Sequence, residues 1–298
     1  MFEIMAGVRG KVKNWIGPLP AKSSTLSIYF YTLTLKTMTT KLLSILNALS
    51  VALVIFINYL SVAVSINGND VGSLSAEYDN LFTPAGYAFS IWGIIFLGLV
   101  AYSVNEILET FKSKDQFEFT RKAGPWFYIA NLMNALWVII WLYEITWLSV
   151  IIMLVLLFSL VKIILNTDME RWDAPLGHIA LRWWPICIYS GWIAVATIAN
   201  VSAYLAKLGW DGAIMSEAAW ASTMIIVAAM LNLFMIITRN MREFALVGVW
   251  ALTAIYVRQA EPTVALVALI SAVILAIAIS VHAILNIGSN PFFKMLKP

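Results

Sequence analysis

The sequence predicts an all-α protein, a polytopic transmembrane helical bundle of about eight spans, and three observations predict it. Sixty-one per cent of the 298 residues are hydrophobic and 12% are charged, against roughly half and a quarter in a soluble globular domain. Apolar stretches near the ~20 residues that cross a hydrocarbon core recur along the chain with almost no charge inside them. The basic residues fall in alternate loops, as the preference of Lys and Arg for cytoplasmic loops requires of a multi-pass chain.

The elements follow in order. Residues 1–41 form a basic amino-terminal segment (Arg9, Lys11, Lys13, Lys22, Lys36 and Lys41) in which Glu3 is the sole acid. Its Ser- and Thr-rich second half fits an organellar transit peptide. The plainer reading is a cytoplasmic tail, or a chain that begins at Met38. The first span, Leu42 to Ile66, is longer than the apolar region of a cleaved signal and no small-x-small site follows it directly. Asn67 to Thr83 then makes the longest loop on its face, with Gly68, Gly72, Asp70, Glu77 and Asp79, a candidate lid.

Pro84 marks the start of the second span, Gly86 to Ile107, since proline is tolerated where the first turn has no partner for an N–H. Pro125 to Tyr143 and Trp147 to Leu165 are separated by Glu144 to Thr146 alone and must form a tight antiparallel hairpin. Trp184 to Leu205 is the fifth span. Ala218 to Ile237, Phe244 to Val257 (the shortest) and Thr263 to Leu285 complete the set, the last with Ala268, Ala272 and Ala276 as a small-residue stripe for close packing. No segment shows the broad polar face of a soluble helix.

An eight-span chain with both termini cytoplasmic places seventeen of the nineteen basic residues on one side, leaving Lys207 and Arg258 on the other. A bacterial inner membrane is the expected location and an organellar membrane the alternative. The formal charge of +3 then records orientation; no basic domain tracks phosphates, so no nucleic-acid partner is expected. The single Cys187 excludes an intrachain disulfide. His178, His282 and Cys187 make no metal site, and neither a glycine-rich phosphate loop nor a charged pair at midplane is present. No cofactor is required.

What remains is aromatic and amide chemistry. Tyr87, Phe89 and Trp92 open the second span; Asn131, Asn134 and Trp137 share one face of the third; Trp192 and Asn200 share a face of the fifth. Such residues serve as an interfacial aromatic belt or as interhelical packing amides worth ~1 kcal/mol each. They also suit a ligand cavity between helices.

Taken in order, Pro84-x-Gly86-Tyr87-x-Phe89 with Trp92, Phe127-Tyr128 with Asn134-x-x-Trp137, and Tyr189-x-x-Trp192 with Thr197 and Asn200 resemble the tryptophan-rich sensory protein family, TspO and the translocator protein. The resemblance covers Leu42 to Lys207. It divides the chain into the segment 1–41, a TspO-like five-helix transmembrane domain at 42–207 and a three-helix carboxyl-terminal extension at 208–298. It implies a pocket for a porphyrin or haem-type tetrapyrrole, a sterol or a similar apolar ligand, capped by the first loop. It puts Trp92, Asn134, Trp137, Tyr189 and Trp192 in the wall, with Tyr87 and Phe89 as further ligand-binding candidates and a sterol-type pattern at Val201, Tyr204 and Lys207. Tyr87 stands where the family usually has Trp, and Ala85 where it has a second proline.

The implied role is sensing, transport or turnover of that ligand, and weak porphyrin-degrading chemistry leaves enzymatic activity open. A transporter or channel subunit completed by the last three helices is a second class, marked by Asn232 and His282 facing the interior. A structural subunit, its aromatic stripe filled by its own side chains, is a third. The expected partners are the lipid bilayer, an apolar small molecule and, by resemblance, a second copy in a homodimer.

Overall fold

The computed structural model describes residues 23–112, 118–210 and 215–286, with side chains from residue 39 onward. The expectations for the basic segment 1–41 fall almost wholly outside that range. Ten helices carry the described fold: α1 (Ser23–Ala63), the short α2 (Val71–Glu77), α3 (Ile91–Lys112), the short α4 (Glu118–Ala123), α5 (Trp126–Leu142), α6 (Thr146–Asn166), α7 (Trp184–Lys207), α8 (Glu217–Arg239), α9 (Arg242–Arg258) and α10 (Pro262–Leu285). No strand occurs among the described residues.

Six of the helical segments are long and apolar enough to cross a membrane: Thr39–Ala63, Gly86–Lys112, Thr146–Asn166, Leu176–Lys207, Glu217–Arg239 and Pro262–Leu285. The two other expected spans are α5 and α9, of 17 residues each. At 1.5 Å per residue these reach about 25 Å, just short of the hydrocarbon thickness.

Polarity runs inside out relative to a soluble bundle. Leu97 and Ile237 are about three-quarters exposed, whereas Asn131, Asn134, Asn200 and Asn232 are buried. Water would penalise such an exterior; lipid accepts it, and each interior amide needs a partner on a neighbouring helix or its own backbone. The chain is thus an integral, multi-pass membrane protein.

Packing follows from small residues. α5 and α6 form the expected hairpin, turned by Glu144 at φ 59°. α1 lies against α3 and α5, α6 against α7, and α9 against α7, with α8 and α10 closing on α9. At the α7–α9 crossing a Cβ on Gly191 would sit 2.8 Å from the Phe244 carbonyl oxygen. At the α8–α9 crossing one on Gly248 would sit 2.5 Å from Asn232 Oδ1. Glycine is required at Gly191, where backbone stands in the way; at Gly248 the Asn232 side chain would have to shift.

Four local expectations change. Pro84 marks an entry turn rather than a helix start: Gly86–Ser90 is a 3₁₀ turn and α3 begins at Ile91, because the Ala85 N–H donates to Ala254 O of α9 at 3.0 Å. The stripe on α10 is Ala268, Ser271, Ala272 and Leu275, while Ala276 is exposed. A spacing of four drifts about 40° per step on a 3.6-residue helix, so a straight interface alternates threes and fours.

Asn131 and Asn134 do not serve one cavity. The first donates to Ser50 Oγ of α1 at 3.2 Å and the second to the Tyr189 hydroxyl of α7 at 2.8 Å. An offset of three residues is about 60° around the helix, enough to reach two neighbours. Finally, Arg182, counted in the sequence as a loop charge, turns inward on a π-helical turn (Ile179–Trp183). Its Nε donates to Glu106 Oε1 at 2.6 Å, and Thr120 Oγ1 donates to the other carboxylate oxygen.

Candidate functional site

The segment after α1 folds over one end of the bundle. Asp70 caps α2, accepting the N–H groups of Gly72 at 2.8 Å and Ser73 at 3.0 Å, and the Ser73 hydroxyl closes the reciprocal half of a capping box. The Ser73 N–H, opposed by partial burial and helped by the Ser73 hydroxyl and the Gly72 N–H, holds the Asp70 carboxyl below its ordinary range. α2 is thereby a preformed plate.

Two sets of contacts pin it. On one edge Asn67 Nδ2 donates to Leu142 O at 2.9 Å, and the Tyr78 hydroxyl donates to the Glu144 carboxylate in the α5–α6 turn. Burial and that carboxylate push the Tyr78 phenol up, so it remains a donor. Lys207 Nζ donates to Glu144 O at 2.6 Å and lies 5.2 Å from the Tyr78 ring. On the other edge Arg258 pairs with Asp79 at 2.8 Å, and Gln259 Nε2 donates to Thr83 O at 3.0 Å and to Asn80 O at 3.3 Å.

Beneath this lid lies a cavity walled by Phe89, Trp137, Trp141 and Trp192, with Val71, Ser75, Asn80, Thr83 and Pro84 above and Val195, Ala196, Ala199, Asn200 and Ala203 of α7 beside. Its polar anchor is Asn200. The amide oxygen accepts Trp137 Nε1 at 3.2 Å, and its Nδ2 donates to Ser149 Oγ at 2.9 Å. Trp137 and Trp141 are stacked, with centroids 5.7 Å apart and planes 15° from parallel, and Trp141 Nε1 points to the lid at Val71 O, 3.4 Å away. The space within the cavity is about 50 Å³, room for about one or two waters.

Of the residues singled out in the sequence, Phe89, Trp137 and Trp192 face this cavity. Trp92, Tyr189 and Asn134 stand one layer deeper: the Trp92 ring is 6.3 Å from Trp192 and 6.1 Å from Tyr189, edge to face in both. Tyr87 lies elsewhere, 5.2 Å from Trp250 of α9. Lys207 of the sterol-type pattern is engaged at the lid, and Val201 and Tyr204 are half-buried on α7 outside the cavity wall. Trp141 went unassigned although it lies one turn beyond Trp137 on the same face, a spacing that was available. Asn80 and Thr83 sit in a loop with no period to reveal them.

The residues marking a transport pathway are each partnered through one polar atom, while Asn232 Oδ1 and His282 Nδ1 have no hydrogen-bond partner. Asn232 is buried against Gly248 and donates to Ala228 O of its own helix at 2.8 Å. His282 meets Asn240 Oδ1 at 3.2 Å near the end of the bundle opposite the lid.

A family model described as TSPO-like protein matches residues 44–281. The matched region takes in the second half of α1, all of α2 to α9 and nearly all of α10. No curated protein matches the chain, and no solved structure does.

Proposed function

From the premise that the chain belongs to the TSPO-like protein family, we propose that it binds a flat, largely apolar ligand of the porphyrin or sterol class beneath the α2 lid, for sensing, carriage or turnover. The observation that carries the proposal is the cavity wall itself. Four aromatic rings and a single amide anchor converge under a plate held by side-chain hydrogen bonds to two turns. Indole faces stack on a planar apolar ligand, and Asn200 and Trp137 Nε1 supply the polar contacts that orient it. Charge bias supports the lid face as the outer one, with both termini in the cytoplasm.

One observation favours a second reading, a structural membrane subunit. The stripe is largely filled by its own rings, Trp92 stacking on Phe96 with centroids 5.3 Å apart and Trp192 packed by Phe89 at 5.9 Å, around only about 50 Å³ of space. Quenching of tryptophan fluorescence by protoporphyrin in detergent separates the two. Saturable quenching that weakens in both Trp192→Leu and Trp137→Leu supports the pocket. Saturable quenching identical in all three proteins removes the pocket assignment, and the absence of saturable quenching supports the structural subunit.

A further inference from the structure

The end of the bundle opposite the lid holds a second cavity, of about 670 Å³ against about 50 Å³ beneath the lid. Its wall comes from the α6–α7 connection (Glu170 to Ile179), the start of α7 at Trp183 and Trp184, the α8–α9 turn and the end of α10. The volume falls within the range of sites that hold drug-sized molecules. No residue of this wall borders the lid-side cavity.

Five wall side chains each retain a buried polar atom without a hydrogen-bond partner: Glu170 Oε1, Glu243 Oε2, His282 Nδ1, Arg242 Nε and Trp183 Nε1. Buried polar atoms are ordinarily satisfied, so a cluster of exceptions beside a cavity calls for an occupant. Two of the five, Arg242 Nε and Trp183 Nε1, are donors, and the other three belong to groups that can accept. Ionised carboxylate oxygens accept, and His282 reaches Asn240 Oδ1 through Nε2 at 3.2 Å. That amide oxygen can only accept, which puts the imidazole proton on Nε2 and the lone pair on Nδ1.

Charge points the same way. The lining carries Glu170, Asp173 and Glu243 against Arg171 and Arg242, and Arg171 is already engaged by Asp168 at 3.4 Å. Burial, and then the neighbouring Glu243 carboxylate, push the Glu170 carboxyl up to about 8. Trp172 and Trp184 line the same wall, and indole faces attract cations. Among the described residues no three His, Cys, Asp or Glu side chains converge as a metal site.

We propose that this cavity binds a primary ammonium group carried on an apolar body, with Glu170 and Glu243 accepting its N–H bonds and Trp172 and Trp184 packing against the body. The ammonium charge favours the ionised form of both carboxylates, Arg242 offsets one of them, and Arg242 Nε and Trp183 Nε1 are donors left for any anionic group beside the amine. The same chemistry is offered by a free amphiphilic amine and by the ethanolamine headgroup of a lipid.

The test uses the full chain in phosphatidylcholine nanodiscs and a charge-inverted probe pair, phenethylammonium and 3-phenylpropionate, followed by titration calorimetry. The ammonium probe binds saturably, and the carboxylate at least ~10-fold more weakly. Glu170→Gln and Glu243→Gln each weaken the ammonium on the order of 10-fold, the scale of losing one charge-assisted hydrogen bond, and leave protoporphyrin quenching unchanged. Adding phosphatidylethanolamine to the discs lowers the apparent amine affinity if the lipid headgroup is the occupant and leaves it unaltered if a free amine is; both results support the ammonium site. Carboxylate binding as tight as ammonium binding overturns the proposal, and that comparison needs no variant. Ammonium binding unaltered in both Gln variants also overturns it.

Discussion

Gly191→Ala tests whether α9 is docked on α7 by backbone contact. The added Cβ would lie 2.8 Å from Phe244 O, 3.1 Å from Val247 Cβ and 3.2 Å from Phe244 Cα. Two of these three atoms are backbone, so no rotamer change relieves the clash and α9 must retreat by several tenths of an ångström. Overpacking of this kind costs about 1–3 kcal/mol. The usual gain of up to ~1 kcal/mol on replacing a helical glycine offsets little of it, because membrane helices remain formed when their tertiary contacts are lost. A fall of several degrees in the melting temperature in detergent is expected. Gly93→Ala is the control: its Cβ meets nothing within 4 Å, and its melting temperature should stay at the wild-type value. Because α9 also holds the lid loop through Ala254 O, Gly191→Ala should speed proteolysis between residues 79 and 84. Unchanged melting in Gly191→Ala, or an equal loss in Gly93→Ala, would refute the reasoning.

Arg182→Leu leaves Glu106, whose side chain is 1% exposed, as a buried carboxylate held by Thr120 alone, at a cost of about 3–5 kcal/mol; the double variant with Glu106→Gln should recover most of that loss in the same melting assay. For Glu170 the folded group titrates at about 8 against an ordinary 4.5, so the folded state holds the extra proton. Stability is fully present below about pH 4.5 and is lost as pH rises through about 8, a slope that Glu170→Gln should flatten in melting curves between pH 5 and 8. Tyr78→Phe removes the hydroxyl that ties the lid to Glu144. Protoporphyrin association in stopped-flow quenching should accelerate several-fold with a stability loss of about 1 kcal/mol, and an unchanged rate would show that this contact does not gate the cavity.

Helix positions were legible because lipid imposes a local rule: every membrane-crossing segment must be apolar over most of its own length, whatever it packs against. α7 was expected at Trp184 to Leu205 and runs Trp184–Lys207; α10 was expected at Thr263 to Leu285 and runs Pro262–Leu285. Interfaces obey no local rule. Nothing near Arg182 announces Glu106, 76 residues earlier, and a charge count places it in a loop. Asn131 and Asn134 read as one face because a spacing of three nearly closes a helical turn, yet the remaining ~60° sends them to different helices. In the same way Trp137 was legible as a site candidate from its motif, while Asn80 and Thr83 enter the cavity wall through the lid loop's path across the bundle.

That path ties the lid to the carboxyl-terminal helices. A division of the chain at residue 207 would make α8 to α10 an addition to a self-sufficient bundle. Yet α9 and the residue after it supply Ala254 O, Arg258 and Gln259 to the loop between Asp79 and Ala85, so one edge of the lid is built on them. The other edge rests on Glu144 and Leu142, within the hairpin of α5 and α6. A lid hinged between two helix units opens when one moves relative to the other, and the α7–α9 contact at Gly191 is the place where such a motion is resisted. Trp192, the next residue, lines the cavity. Rotation of α7 that widened the cavity at Trp192 would therefore be felt at once by α9, and through Gln259 by the lid above it.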